Sequence, residues 1–367
     1  MNPSVNNGLP YDAQAGSAPE VPLVSVVITT YNRACFLQAA LASAVGQTYE
    51  NLEIIVSDNH SSEASYEAIQ KVVDGFDDDR IVLKQRDDNV GLQHNNVWAL
   101  RDANGTYVAN LHDDDVWEPT FVEHLVASLE AHPEATLAFC DHYLIDETGK
   151  ILPEATDHNT RHWKRDTLSD GLHQPFARIG LIDRSIPGVM GAMYRHAAIP
   201  WGAVPEPATA YDLWLIYLAC REGAPAFYTS KRLTRYRVHD RSQTSRGLLQ
   251  LHHDLAYCYE RMAEDPRLSY LHDELLYMAS AYHCSIGATY LRADDRATAT
   301  RHLRRASKLH WNRRSLAGQL LRFVPTALAI RLLDLRRGLF MAPPATPGED
   351  TPDVPAADER QVLSEAA

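Results

Sequence analysis

Short apolar runs alternate with amphipathic stretches along the first half of the chain. Val24-Ser-Val-Val-Ile-Thr-Thr30 is rich in β-branched residues, which predicts a strand buried on both faces. From Phe36 to Gly46, Phe36, Leu37, Ala40, Leu41 and Ala44 recur on one helical face. The alternation continues with a strand over 52–57, a helix over 65–76 and a strand over 81–85. A helix over 91–104 stops at Gly105, the residue type that best tolerates a helix C-terminus. Residues 106–111 form a fourth strand. This order predicts an α/β fold, a mostly parallel sheet covered by helices. Ligands of such sheets bind beyond the carboxyl ends of the strands. Here that rule brings Thr29–Arg33, Ser57–Ser61 and His112–Asp115 to one rim.

Residues 118–132 read as a further helix and 136–140 as a further strand. The segment 150–190 has no period and holds Trp163, Pro175 and Pro187, so a loop-rich cover over the rim is expected. Residues 210–221 are helical, and 226–228 and 233–238 are two short strands. From Leu248 to Phe340 the pattern is almost all helical, with Leu255, Tyr259, Met262 and Leu276, Met278, Tyr282, Ile286 at core-packing spacing. The expected organisation is a polar tail over 1–20, an α/β domain over 21–246, a helical region over 247–340 and an acidic, Pro-rich tail over 341–367.

The 367 residues carry 35 Lys and Arg against 48 Asp and Glu, a net charge of −13. That balance repels a polyanion and argues against a general nucleic-acid binder. Its distribution is uneven. Residues 301–340 hold ten basic residues and one acidic one, and 341–367 hold one and six. The residues before 301 therefore hold 24 basic and 41 acidic. The basic stretch interleaves Leu303, Leu309, Trp311, Leu316, Leu320, Leu321 and Phe323. Such a face can lie on an anionic membrane, or pack against the acidic domain or the second subunit of a homodimer.

Five scattered cysteines without a C-x-x-C pair support neither a disulfide framework nor a thiolate zinc site. Buried free thiols in a reducing compartment are expected. The opening residues lack a signal-peptide pattern, and no apolar run is long enough to span a bilayer. A cytoplasmic location follows, with the inner face of the membrane as the place for any peripheral contact.

Asp113-Asp114-Asp115 follows a predicted strand directly. Three adjacent carboxylates repel one another, and a divalent cation relieves that cost. Hard oxygen ligands at a strand end suit Mg²⁺ or Mn²⁺, with a diphosphate completing the shell. Asp77-Asp78-Asp79 lacks the strand-end position and reads as a solvated loop.

Six segments stand out in order: Pro22-Leu-Val-Ser-Val-Val-Ile-Thr-Thr-Tyr-Asn-Arg33, Asn51-Leu-Glu-Ile-Ile-Val-Ser-Asp-Asn59, Asn89-Val-Gly91 with Asn95, His112-Asp-Asp-Asp-Val-Trp-Glu-Pro119, Tyr211-Asp212-Leu213-Trp214 and Tyr236-Arg237-Val238-His239. Together they cover roughly residues 22–246 and resemble family 2 glycosyltransferases of GT-A fold.

The resemblance implies an inverting glycosyltransferase that moves a sugar from a UDP- or dTDP-sugar to an acceptor hydroxyl. The acceptor is a glycan, a lipid-linked sugar or a small molecule. It implies nucleotide-sugar contacts for Thr29, Tyr31, Arg33, Asp58, Asn89, Gly91, Asn95 and Asp113. It implies metal ligation by Asp114, with Asp115 as a further ligand and His239 meeting the metal or the diphosphate. His112 stands where many members carry an Asp, and it reads as a ribose or outer contact. Asp212 is the candidate general base, although the helix dipole alone accounts for an acid there. Arg195 and Trp214 are candidate acceptor contacts, and a core tryptophan is the plain alternative for the latter. Arg237, Arg241 and Arg246 are candidates to cover a phosphate, or form a solvated basic strand end. Gln243-Thr-Ser-Arg246 resembles the Q-x-x-R-W motif of processive polymerases, but Gly247 replaces the tryptophan, which favours single addition. Two other readings stand beside this one. They are a nucleotide-sugar-binding protein without turnover and a nucleotidyltransferase, whose Gly-rich basic loop is missing from Thr29-Thr-Tyr-Asn-Arg33.

Overall fold

The computed structural model describes residues 21–205, 210–239 and 248–335. The expected tails lie outside these residues, as do Arg241, Gln243, Arg246, Arg336 and Arg337. Strands β1 (Val24–Thr30), β2 (Leu52–Asp58), β3 (Ile81–Gln85) and β4 (Tyr107–His112) alternate with helices α1 (Ala34–Val45), α2 (Glu63–Asp74) and α3 (Gly91–Arg101). All four strands run parallel, in the order β3-β2-β1-β4. The register sets Thr30 beside Asp58 and Thr29 beside His112, so the three expected loops leave one rim.

The chain then passes through β5 (Val116–Trp117), α4 (Phe121–Ala131), β6 (Leu137–Ile145), α5 (Pro153–His162), β7 (Gly171–His173), β8 (Ala192–Arg195), α6 (Tyr211–Cys220) and β9 (Ala226–Arg237). These complete one nine-stranded sheet. β8 pairs antiparallel with both β4 and β6, and β9 is parallel to β6 but antiparallel to β5 and β7. The sheet is thus parallel on one side and mixed on the other.

Two expectations change here. The two short strands over 226–238 are one strand, because acids pair with its polar middle. Asp170 accepts from the Ser230 N–H at 2.8 Å and from Thr229, and Asp157 accepts from Arg232 at 2.7 Å. The loop-rich segment 150–190 contains α5, whose buried residues are Thr156 and Thr160 rather than apolar side chains. Thr156 Oγ1 accepts from the Leu144 N–H at 2.9 Å, and Thr160 donates to Asp141 at 2.8 Å. A helix docked by hydroxyls leaves no hydrophobic period to read.

Alternate side chains of the strands feed two cores. Val26, Ile28, Ile54 and Leu111 pack beneath α1 and α4 with Leu37, Leu41, Phe121 and Leu125. Val27, Ile55, Val108 and Phe139 face α3 and α6. The same core runs on into Leu255, Tyr259, Leu275, Tyr282 and Ile286 of α7 (Leu248–Ala263) and α8 (His272–Arg292). These two helices are therefore part of the layer that covers the sheet. The last helices, α9 (Arg296–Leu309), α10 (Arg313–Leu321) and α11 (Thr326–Leu335), add a smaller core around Leu303, Leu321 and Leu333 on α8. Leu303 packs so closely that a Cβ on Gly287 or Gly318 would meet it at 2.7 or 2.9 Å. Cys140, Cys220, Cys258 and Cys284 are buried free thiols, whereas Cys35, in the first turn of α1, is exposed. Among the described residues, no helix is long and apolar enough to cross a membrane.

Candidate active site

β1 ends where its backbone turns through Asn32, whose positive φ of 55° is one that asparagine tolerates. The Asn32 N–H donates to Ser61 Oγ at 2.8 Å and its Oδ1 accepts from the Ser62 N–H at 3.0 Å. The loops after β1 and β2 are thereby tied together. Beside them, the acidic triplet leaves β4 in a turn in which the Asp115 N–H returns to the His112 carbonyl at 3.2 Å.

Each carboxylate of the triplet has its own holders. Thr30 Oγ1 donates to Asp113 Oδ2 at 2.8 Å. Arg33 lies between two of the acids, 2.6 Å from Asp113 Oδ1 and 2.9 Å from Asp114 Oδ2. His239 Nε2 approaches Asp114 Oδ2 at 3.1 Å, with the His239 ring 4.9 Å from that of Phe36. The Arg237 N–H donates to Asp115 Oδ1 at 2.9 Å, while Asp115 Oδ2 is buried with no hydrogen-bond partner.

Crowding in a buried rim moves the protonation equilibria apart. Burial pushes the Asp113 carboxyl up to about 7, with Arg33 opposing. Burial and then the Asp114 charge push Asp115 well above the usual carboxylate range. Burial acts on Asp114 in the same sense, but His112, Arg33 and His239 together hold it below that range. The cluster is thus short of positive charge.

His112 turns toward α6. Its Nε2 lies 3.1 Å from the Tyr211 hydroxyl, which also accepts from Asn110 Nδ2 at 3.3 Å. Burial keeps the imidazole below its ordinary value, against the pull of Asp114 and Asp212, so the ring is neutral and keeps a lone pair to give. His112, Asp114 and Asp115 offer donor atoms all within 4.8 Å of one another. Two carboxylates, one with an orphaned buried oxygen, and a neutral imidazole fit a divalent cation. Asp212 follows Tyr211 in the first turn of α6 and contributes to the field at His112.

A cleft of about 520 Å³ opens at the ends of β1–β3, lined by Tyr31, Asn32, His60, Ser61, Ser62, Glu63, Tyr66 and Gln85. Tyr31 is 41% exposed there. Asp58 lies beneath as a buried support, accepting from the Ser61 N–H at 3.0 Å and from Gln85 Nε2 at 3.1 Å. The structure therefore groups Tyr31 and Asp58 at one cleft, and Arg33, His112, Asp113, Asp114, Asp115 and His239 in one charged cluster beside Asp212.

Several expected contacts serve the scaffold instead. The Thr29 hydroxyl is buried on Asn96 Oδ1 at 2.9 Å, because strand alternation sends it away from Thr30. Asn89 accepts from Asn59 and from the Gly91 N–H, which shapes the turn where Gly91 has φ +82°. Asn95 is buried and ties α3 to β2 through Ser57 and to Arg86. Arg195 pairs with Tyr107, at the opposite end of β4 from His112, roughly 17 Å away along the strand. Its guanidinium binds the Leu129 carbonyl and the Tyr107 hydroxyl. Trp214 is buried in the core and donates to the Ala203 carbonyl at 3.1 Å. Arg237 covers no open phosphate site: its side chain donates to the Asp114, Asp146 and Glu147 carbonyls.

Sequence reasoning passed over Thr30, Phe36 and the Tyr211 hydroxyl. Thr30 and Tyr211 lie inside quoted motif segments and Phe36 three residues after Arg33, and only the fold shows that they face the rim.

Residues 25–197 match the family model for Glycosyl transferase family 2. An uncharacterized glycosyltransferase of Rickettsia typhi, RT0329, is 26% identical over 245 residues, covering 63% of this chain and 68% of the relative. The Escherichia coli protein WfaP, a UDP-Glc:alpha-D-GlcNAc-diphosphoundecaprenol beta-1,3-glucosyltransferase, is 30% identical over 122 residues, covering 33% of this chain and 47% of its own length. S. aureus TarS 1-349, solved in complex with UDP-GlcNAc, superimposes with a TM-score of 0.60 at 14% identity, covering 86% of this chain and 90% of that one. The fold is GT-A. Residues 25–197 thus carry a glycosyltransferase family 2 domain, and the chain is similar to proteins named as glycosyltransferases.

Proposed function

We propose that this chain transfers one sugar from a nucleoside-diphosphate sugar, of the UDP or dTDP class, to an acceptor hydroxyl with inversion at the anomeric carbon, and that it does so in the cytoplasm. The observation that carries this reading is the half-buried, charge-deficient cluster of His112, Asp114 and Asp115 beside Asp212 at the rim of a GT-A sheet. The UDP-GlcNAc bound to TarS and the UDP-sugar named for WfaP support a uridine donor.

In this reading Tyr31 stacks on the base over the 520 Å³ cleft, while Asp58 holds the cleft floor and accepts from the base. Asp113, oriented by Thr30, faces the ribose. His112, Asp114 and Asp115 hold Mn²⁺ or Mg²⁺, and His239 steadies Asp114. When bound, that cation stabilises the negative charge gathering on the leaving diphosphate. Arg33 moves from the carboxylates to the phosphates as the donor enters. Asp212 takes the proton of the attacking acceptor hydroxyl.

Release of UDP from UDP-sugars with Mn²⁺ tests the reading. Asp212→Asn should keep UDP binding within a few-fold and lose about a hundredfold or more in turnover, since a carboxamide cannot take the proton. Asp114→Ala should lose the Mn²⁺-dependent part of UDP affinity. Full turnover by Asp212→Asn overturns the base, and equal UDP affinity of Asp114→Ala with and without Mn²⁺ at wild-type strength overturns the cation site.

A further inference from the structure

The last two helices present apolar side chains that the fold does not cover. Leu316, Leu320 and Phe323 follow one another at helical spacing along α10 and its end, and Leu328 and Leu332 do so on α11. Their relative exposures are 42%, 62%, 80%, 49% and 41%, and Trp311, just before α10, is 64% exposed. Large apolar residues exposed in such a concentration mark a contact surface, whereas isolated ones need no explanation. The opposite faces of the same helices are already used, through Leu321, Ala329 and Leu333.

Charge says what the surface meets. Arg301, Arg304, Lys308, Arg313 and Arg331 are exposed in the same stretch of chain, and none forms an ion pair with a described carboxylate. Arg322 lies over the ring of Phe323 at 5.3 Å. Residues 301–333 contain no acid at all, in a chain whose net charge is −13. Cations flanking a stripe of Leu, Phe and Trp are the composition of a helix that lies in a bilayer interface. The chain's own acidic tail complements the charge but not the stripe, because residues 341–367 offer no aromatic residue.

We infer that the face formed by Trp311, α10 and α11 seats on an anionic membrane surface. The rings and leucines enter the headgroup boundary, and the arginines meet lipid phosphates. This contact is separate from the donor site and stands whether or not the proposed transfer occurs. It would hold the enzyme where an acceptor carried by a lipid is presented.

Co-sedimentation of the full chain with vesicles tests it. One set holds phosphatidylglycerol and phosphatidylcholine in equal parts, the other phosphatidylcholine alone. The expected result is binding to the first set at least about tenfold stronger than to the second, weakening as salt is raised. Leu320→Asp with Phe323→Asp should lower binding about tenfold or more. Both sites are exposed, so the thermal midpoint should hold. Arg313→Glu with Arg331→Glu should remove most of the preference for phosphatidylglycerol and leave the fold unchanged. Absence of wild-type binding, equal binding to both sets, or unaffected variants overturns the inference. So does a stable dimer in light scattering that Leu320→Asp dissolves, which would make the face an interface between two copies.

Discussion

A single hydroxyl separates two neighbours with opposite duties. Thr29 and Thr30 are consecutive, yet strand alternation turns the first to Asn96 and the second to Asp113. Thr30→Val keeps the shape and removes the one neutral donor on a carboxyl that burial already pushes up to about 7. The prediction is a loss of about tenfold in kcat/KM for UDP-sugar turnover, with a thermal midpoint within a few degrees of wild type. Arg195→Met should do the reverse. Its guanidinium binds two elements and stacks on Tyr107 at 5.2 Å, at the opposite end of β4 from the triplet. The expected cost is about 1–3 kcal/mol in denaturant unfolding, with KM for donor and acceptor unchanged. An acceptor KM raised severalfold in Arg195→Met would return that residue to the site.

Elements were legible in proportion to how much of their docking is apolar. β1, β2, β3 and α1 carry β-branched runs or an apolar stripe, and their ends fall within a few residues of the sequence reading. The rim they build was legible too, because it follows from strand order. α5 was invisible because it docks through hydroxyls, and the polar middle of β9 because acids on other segments hold it in the sheet. Which of Thr29 and Thr30 faces the acids depends on register, and the approach of His239 to Asp114 depends on a late strand end; neither has a local signal. For α5 the consequence is measurable. Thr156→Val strips the Leu144 N–H of its acceptor, and Thr160→Val removes a donor from buried Asp141. Each should cost about 1–3 kcal/mol, although both substitutions are more hydrophobic. Unchanged unfolding midpoints for both would contradict the docking account.

At the scale of the whole molecule, acid should act on the two raised carboxyls of the catalytic rim and on the histidines of the helical layer in opposite directions. In the helical layer, burial and the His253 and Arg314 charges bring the His252 imidazole down to about 4. Burial and its neighbours His283, His253 and Arg301 bring His302 to about 4 as well, with Glu260 opposing. An unfolded chain takes up these protons near the ordinary value of 6.5, whereas the folded one refuses them until about 4. Their contribution is therefore complete above 6.5 and lost as pH falls from 6.5 toward 4. Glu260 behaves alike lower down: burial works against its charge, but His283 and Arg305 hold it at about 2, and its share is lost between about 4.5 and 2. The raised carboxyls of Asp113 and Asp115 run the other way, since they favour the fold at low pH in the metal-free protein. A simple melting profile sums these effects and can look flat. The informative quantity is the difference between wild type and His252→Phe, in which the rim cancels. Phenylalanine keeps the ring contact with Tyr282 and removes the titration. Relative to wild type, His252→Phe should gain about 3 kcal/mol of stability on going from pH 7 to pH 4, the worth of a shift of some 2.5 pH units at a buried site. A constant difference across that range would show that His252 is protonated in the folded state at its ordinary value.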